Sequence, residues 1–285
     1  MKRSECAALL YEIVGDKREA AAEASLLFAT LSTRPVSAAA IDPDSADAGI
    51  DEARLRRVLR GRKDRVPLAY LLGEAWFYRE CYEVTPDCLI PRSDTEVLVD
   101  FAVQRLPRGA HFVDVCTGCG CVAVSVLRAR PDCTADALDI SEAVLRVAAR
   151  NAERWGVSDR VSFLRADALS FCPPSPYDAA LANPPYIPSA VVDTLAPEVR
   201  AEPRAALDGG ADGLDFYRAF CRFSSKYIYK SGFFAAEIGF DQGPALSALA
   251  SESGLSISLL PDLGGRDRVA VLSRSAHPSP VSRIR

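Results

Sequence analysis

From His111 onward, short apolar runs alternate with amphipathic stretches, and no other feature narrows the accessible folds as much. Apolar runs at 111–116, 134–140, 161–166 and 177–182 read as strands. Helical patterns lie at 121–130 and from Ser141, a good cap, to Gly156, a good stop. A long loop to about Gly213 precedes a helix running to Tyr229. A strand at 233–238, a helix at 242–251 and two closing strands near 257–260 and 268–272 follow. No internal repeat is present. Strand–helix alternation predicts the α/β class, with a doubly wound, mostly parallel sheet of seven strands.

Open sheets of this kind bind ligands at the carboxyl ends of their strands. The residues following each apolar run are therefore the candidates. The fourth run ends in Asn183-Pro184-Pro185-Tyr186, and the two prolines forbid the strand from continuing. The Asn183 side-chain carbonyl and the Pro184 backbone carbonyl are two acceptors, enough to hold both N–H bonds of a planar –NH2 group. Proline adds no competing N–H and stiffens the backbone. Tyr186 would stack on a flat acceptor. Held in this way, the nitrogen lone pair points out of plane at an electrophile. A proline-rich turn without chemistry explains the same four residues, so the motif alone does not decide.

The first run leads into Thr117-Gly118-Cys119-Gly120, directly before a helix. Missing side chains at Gly118 and Gly120 let the backbone approach a ligand, and the helix start offers free N–H groups. Asp139, ending the second strand, lies where a carboxylate binds both ribose hydroxyls. Gly118-x-Gly120-x-x-Ala123 also fits a dinucleotide fingerprint, which leaves the loop ambiguous by itself. Asp114, inside the first strand, needs polar partners: a ligand ammonium or the loop amides. Asp167, ending the third strand, would meet an adenine amino group or serve as a loop or helix cap. Acids ending two strands, with the Asn-Pro-Pro-Tyr turn ending the next, fit S-adenosylmethionine better than a nicotinamide. The reaction expected is in-line methyl transfer, driven by positioning and electrostatics with no strong base.

Composition removes several alternatives. The chain has 285 residues, 49% of them hydrophobic, enough for one large domain or two ordinary ones. A formal net charge of −4 argues against a protein that coats nucleic acid. No apolar run approaches the roughly 20 residues of a membrane span, and the N-terminus lacks a secretory pattern, so a cytoplasmic protein is expected; a monomer is expected as a separate matter. The nine cysteines are then free thiols packed as small hydrophobes. Cys116, Cys119 and Cys121 cluster, but no second ligand pair follows, and no metal is expected. The two histidines, His111 opening a strand and His277 in a Ser/Pro/Arg tail, leave histidine acid–base catalysis without a candidate.

Four segments are expected: a helical bundle at 1–72, a β-hairpin linker at 73–92, the catalytic α/β domain at 93–275 and a disordered tail at 276–285. In the bundle, Leu9, Leu10, Ile13 and Val14 fit one helix face. Ala22, Leu26, Leu27, Phe28 and Leu31 fit a second, and Ile50, Ala53, Val58 and Leu59 a third. Pro35 and Asp42-Pro43-Asp44-Ser45 read as breaks between them. Trp76, Phe77, Tyr78, Tyr82 and Val84 mark the hairpin. Ser93 with Glu96 reads as a capping box opening the next helix, which leaves Pro91-Arg92 unexplained.

At this point the chain resembles the HemK/PrmC release-factor glutamine methyltransferases over nearly its whole length. The resemblance rests on Pro67-x-x-Tyr70-x-x-Gly73, Leu89-Ile90-Pro91-Arg92-x-Asp94-Thr95-Glu96 and Asp114-x-x-Thr117-Gly118-x-Gly120. It continues through Ala137-Leu138-Asp139-Ile140-Ser141, Asn183-Pro184-Pro185-Tyr186 and Glu202-Pro203-Arg204-x-Ala206-Leu207. Asp212-Gly213-Leu214-Asp215-Phe216-Tyr217, Glu237-Ile238-Gly239 and Gly265-Arg266-Asp267-Arg268-Val269 complete it. Asn-Pro-Pro-Tyr is shared with adenine and cytosine amino-methyltransferases of nucleic acids, whereas the Pro-Arg-x-Asp-Thr-Glu stretch is far more specific.

The resemblance implies a class I S-adenosylmethionine-dependent fold. Residues Cys116, Thr117, Gly118, Cys119 and Gly120, with Asp139, Asp167, Ala168 and Asn183, would hold S-adenosylmethionine. Asn183, Pro184, Pro185 and Tyr186 would hold the glutamine of the Gly-Gly-Gln motif in class-1 peptide release factors. The helical bundle would help to grip that partner. The family usually has glycine at Cys116, small residues at Cys119 and Cys121, and proline at Ser93. A side chain at Cys116 needs ordinary φ/ψ and room beside the methionine part of the cofactor. Two other readings remain beside this one: an N6-adenine methyltransferase acting on nucleic acid, and a non-catalytic binder of the cofactor or release factor.

Overall fold

The computed structural model describes residues 1–32 and 49–274. Pro35, the 42–45 turn and the 276–285 tail, with His277, lie outside the described residues. The chain forms two compact units: Met1–Gly73 together with Ala196–Ala201, and Glu74–Leu195 together with the chain from Glu202 onward.

The first unit holds helices Arg3–Val14, Lys17–Leu31, Glu52–Lys63 and Leu68–Leu72. Asp16 caps the second helix, accepting the Arg18 and Glu19 amides at 2.8 Å each, and Asp51 caps the third. The stripe that packs in the second helix is Ala20, Ala24, Leu27 and Leu31, while Ala22 and Leu26 face solvent. In the third helix Leu55 is buried and Ala53 exposed. An Ala-rich helix offers two apolar stripes a residue or two apart, and packing against neighbours selects between them. Arg62 is only 1% exposed and pairs with Glu23 at 2.9 Å and Glu198 at 3.4 Å. Glu198 also pairs with Arg65 at 2.8 Å, and so Ala196–Ala201 belongs to this unit although it is distant in sequence.

The second unit opens with an antiparallel hairpin, β1 (Glu74–Phe77) and β2 (Glu80–Glu83). The hairpin makes side-chain contacts within this unit. The Tyr82 hydroxyl meets Ser125 Oγ at 2.6 Å, Arg128 pairs with Glu80 at 2.8 Å, and the Trp155 indole donates to the Cys81 carbonyl at 3.1 Å. Ser93 and Glu96 do not make a capping box. Ser93–Thr95 is a 3-10 turn ahead of helix Glu96–Arg105, and the Glu96 carboxylate accepts the Tyr78 amide at 2.8 Å instead. Arg92, unexplained by the sequence pattern, pairs with the buried Glu202.

The main sheet comprises β3 (His111–Val115), β4 (Thr134–Asp139), β5 (Val161–Arg165), β6 (Tyr177–Ala182), β7 (Ile228–Glu237), β8 (Ser256–Pro261) and β9 (Asp267–Ser273). Its order is β5-β4-β3-β6-β7-β9-β8. Pairs from β5 to β7 are parallel, and β9 runs antiparallel to both β7 and β8. This is the doubly wound seven-stranded sheet that the alternation predicts. Consecutive β3 residues Phe112, Val113, Asp114 and Val115 are all at most 3% exposed, so layers cover both faces. β7 begins at Ile228, ahead of the expected 233, because exposed Tyr229, Lys230 and Ser231 interrupt the apolar run. Strand order reverses between β3 and β6, and a crevice opens at such a point.

Candidate active site

Beyond β3 the backbone turns sharply, with positive φ at Cys116 (61°), Gly118 (57°) and Gly120 (85°). Asp114 braces this turn from within the sheet: its carboxylate accepts the Thr117 hydroxyl at 2.6 Å and the Ala123 amide at 3.1 Å. Of the two partners expected for it, the loop is the one observed, and Asp114 does not line the cavity. Burial pushes its carboxyl up to about 7, against the pull of Thr117 and Ala123. Gly120 is likewise set back. A Cβ there would lie 3.1 Å from Ala148 Cβ and 3.2 Å from its Cα, so helix packing requires a glycine here. At Gly118 a Cβ would meet nothing within 4 Å, and this residue lines the cavity. Asn151, which sequence reasoning missed, anchors the loop by donating to the Cys119 carbonyl at 2.8 Å while its own carbonyl accepts the Glu83 amide at 2.7 Å.

The carboxyl ends of β3, β4, β5 and β6 surround a cavity of about 330 Å³. Its walls include Cys116, Thr117, Gly118, Cys119, Asp139, Asp167, Ala168, Asn183 and Pro185, so most of the expected site residues come together. Leu89, Pro91, Pro203 and Phe216 add apolar surface that no spacing argument had indicated. Asp139 accepts the Gly118 amide at 3.2 Å and the Ser141 amide at 3.0 Å, one on each oxygen. It is oriented by its own loop and keeps lone pairs for a diol; burial raises its pKa. Asp167 accepts the Leu169 amide at 2.9 Å and still faces the cavity, so the loop and ligand readings coexist.

Cys116 does not take the ordinary φ/ψ expected of a side-chain-bearing residue. It sits in the left-handed region at φ 61°, where glycine is unstrained. Burial, reinforced by Asp139, Asp114 and Asp167, pushes its thiol well above the usual range, so it presents a neutral sulfur. A cavity of this size with two carboxylates, an accessible glycine backbone and apolar walls fits S-adenosylmethionine. Among the described residues, no group of three His, Cys, Asp or Glu side chains is arranged to hold a metal.

The turn after β6 is held from several sides. The Asn183 amide Nδ2 donates to Thr95 Oγ1 at 3.0 Å, and the Thr95 hydroxyl donates to Glu237 Oε2 at 2.5 Å. The Tyr186 hydroxyl donates to Glu237 Oε1 at 3.2 Å. Tyr186 therefore packs against the core with its hydroxyl engaged, and neither it nor Pro184 lines the cavity; the stacking surface expected of Tyr186 is not on the wall. The Gln242 amide donates to the Tyr186 carbonyl at 3.0 Å, and a Cβ on Gly213 would come within 2.3 Å of that carbonyl. Among the described residues, no donor bonds the Pro184 carbonyl. Thr95, Glu237 and Gln242 were missed as site residues. Thr95 and Glu237 stood in recognisable stretches, but no local pattern ties positions so far apart to one turn.

Residues 93–210 match the family described as methyltransferase small domain. The chain is 44% identical over 214 residues to the release factor glutamine methyltransferase of Gloeobacter violaceus, covering 73% of this chain and 75% of that protein. It is 41% identical over 251 residues to the release factor glutamine methyltransferase of Moorella thermoacetica, covering 87% and 88%. The fold is also that of the hMettl16 catalytic domain in complex with MAT2A 3′UTR hairpin 1, with a TM-score of 0.55 at 14% identity over 92% of this chain and 94% of that one.

Proposed function

The chain belongs to the release factor glutamine methyltransferases, and from that premise we propose that Asn183 and the Pro184 carbonyl grip the side-chain amide of the glutamine in the Gly-Gly-Gln motif of a class-1 release factor. The chain is an S-adenosylmethionine-dependent protein glutamine methyltransferase, and its substrate is a release factor. The observation that carries the assignment of residues is that Asn183 shares one cavity wall with Gly118, Asp139 and Asp167. S-adenosylmethionine, bound there, supplies a methyl group on a positively charged sulfur.

The chain's own groups do the rest by placement. Asp139 and the Cys116–Gly120 turn would hold the cofactor, with Asp167 on the same cavity wall available to its base. The Asn183 carbonyl accepts one N–H of the glutamine amide and the Pro184 carbonyl the other. Both fix the nitrogen and stabilise the positive charge that grows on it. Apolar walls from Leu89, Pro91 and Phe216 displace water and strengthen these contacts. The reaction takes place in the cytoplasm on a monomeric enzyme. Nucleic acid is not a stable partner, in keeping with the net charge of −4. Among the described residues no helix is long and apolar enough to cross a membrane.

Labelled cofactor with a folded release factor is the test, the methyl being located by mass spectrometry. Label on the Gly-Gly-Gln glutamine is expected, and none on an adenine-containing oligonucleotide. Label on the oligonucleotide with the release factor untouched would overturn the proposal.

A further inference from the structure

We infer that Thr95 and Glu237 form a relay that decides which end of the Asn183 amide faces the methyl acceptor, making both of them positioning residues for methyl transfer. The inference rests on the assignment of Asn183 to the glutamine amide. A threonine hydroxyl has one proton to give. Thr95 gives it to Glu237 Oε2 at 2.5 Å, while Glu237 Oε1 is occupied by the Tyr186 hydroxyl at 3.2 Å. Toward Asn183, Thr95 is then an acceptor only. It takes Nδ2–H at 3.0 Å, which leaves Oδ1 as the free end of the side chain. Among the described residues no donor bonds Oδ1. Turned round, the amide would set its oxygen against the Thr95 lone pairs and offer –NH2 to a substrate –NH2, donor against donor.

The relay also accounts for an otherwise costly arrangement. Thr95 and Glu237 are each 1% exposed, and a buried carboxylate needs a reason and partners. The groups facing Glu237 come from every element around it. Thr95 and Asp94 come from the 3-10 turn, Tyr186 from the turn after β6, and Arg268 from β9. Tyr217, from helix Asp215–Tyr227, donates its hydroxyl to the Glu237 carbonyl at 2.7 Å. Burial raises the Glu237 carboxyl to about 7, with Thr95, Arg268 and Tyr186 opposing and Asp94 adding to the rise. Above that pH the carboxylate accepts the Thr95 proton and the relay has one sense. Below it the acid donates to Thr95, Thr95 regains a proton for Asn183, and the amide is free to turn. Transfer therefore weakens as pH falls through about 7. Asp114 titrates in the same range, but it braces the cofactor loop, so the limb is read at saturating cofactor.

Single-turnover transfer to a release factor is measured from about pH 6 to about pH 9, alongside calorimetric titration with the demethylated cofactor. Thr95→Val is expected to lose about tenfold or more in rate while keeping cofactor affinity within about twofold. Thr95→Ser, which restores the hydroxyl, is expected to recover to within about threefold of wild type. Glu237→Gln is expected to be slowed above neutrality and to show no acid limb. Wild-type transfer by Thr95→Val, a Thr95→Ser as slow as Thr95→Val, or an intact acid limb in Glu237→Gln would each overturn the relay. If Thr95→Val loses cofactor binding altogether, the rate of Glu237→Gln at about pH 8 decides: a loss of about tenfold supports the relay and an unchanged rate overturns it. A wild type that leaves the release factor unmethylated withdraws the acceptor assignment and the relay with it. An active wild type beside an unimpaired Thr95→Val withdraws the relay alone.

Discussion

An amide nitrogen is a poor nucleophile because its lone pair is delocalised into the carbonyl, so attack requires the nitrogen to pyramidalise as charge develops. Acceptors fixed on its N–H bonds favour that state over the ground state. On the proposed assignment, Asn183→Ala removes one of the two and leaves the Pro184 carbonyl. By analogy with the loss of one preorganised oxyanion-hole donor, the transfer rate should fall roughly 100- to 1,000-fold. Cofactor affinity should change far less, because Asp139 and the 116–120 turn are untouched. Single-turnover transfer beside cofactor titration separates the two, and near-wild-type transfer would reduce Asn183 to a turn former. Cys116 makes the complementary case. Its φ of 61° costs a non-glycine residue on the order of 1 kcal/mol. Cys116→Gly should therefore raise the urea midpoint and keep or improve cofactor affinity. A large loss of affinity would show that the thiol itself touches the cofactor.

At the scale of elements, the site depends on how two loops are backed. The loop after β3 closes against helix Glu142–Arg154 only because Gly120 has no side chain: its φ is 85°, and the Ala148 backbone would lie 3.2 Å from a Cβ. Gly120→Ala combines left-handed strain of about 1–2 kcal/mol with overpacking of about 1–3 kcal/mol. A lowered denaturation midpoint together with weakened cofactor binding is expected. A stability loss with cofactor affinity unchanged would show that the loop shifts without disturbing the cavity. Sequence periodicity placed both loops, because a strand followed by glycines or prolines has to turn there. It could not say that Gly118 opens to the cavity while Gly120 closes on a helix. Both are glycines at positive φ, and only the neighbour tells them apart.

At the scale of the whole molecule, contacts between distant stretches decide what local pattern leaves open. Arg62 lies in an arginine-rich helix, yet it is 1% exposed and bonded to Glu23 and Glu198, so a six-residue stretch at Ala196–Ala201 joins the first unit. Removing one partner of a buried ion pair strands the other, at about 3–5 kcal/mol. Arg62→Ala should lower the stability of the first unit by that order in urea unfolding, with cofactor affinity unchanged. An unmoved midpoint would mean that solvent replaces the guanidinium at no cost.

The sheet, the order of its alternation, the two loops and the Asn-Pro-Pro-Tyr turn are legible in the amino-acid sequence. Each follows from period, punctuation and residue chemistry within a few positions. The rest depends on contacts that exist only in the folded chain. Ser93 and Glu96 satisfy every local requirement of a capping box, yet Glu96 takes the Tyr78 amide and Thr95 takes Glu237. Tyr186 suits stacking by chemistry, yet its hydroxyl is drawn to Glu237. A side chain's partner is whichever donor or acceptor the fold brings within about 3 Å, and for Asn183 and Glu237 that choice runs through Thr95, a residue whose distance along the chain no local rule spans.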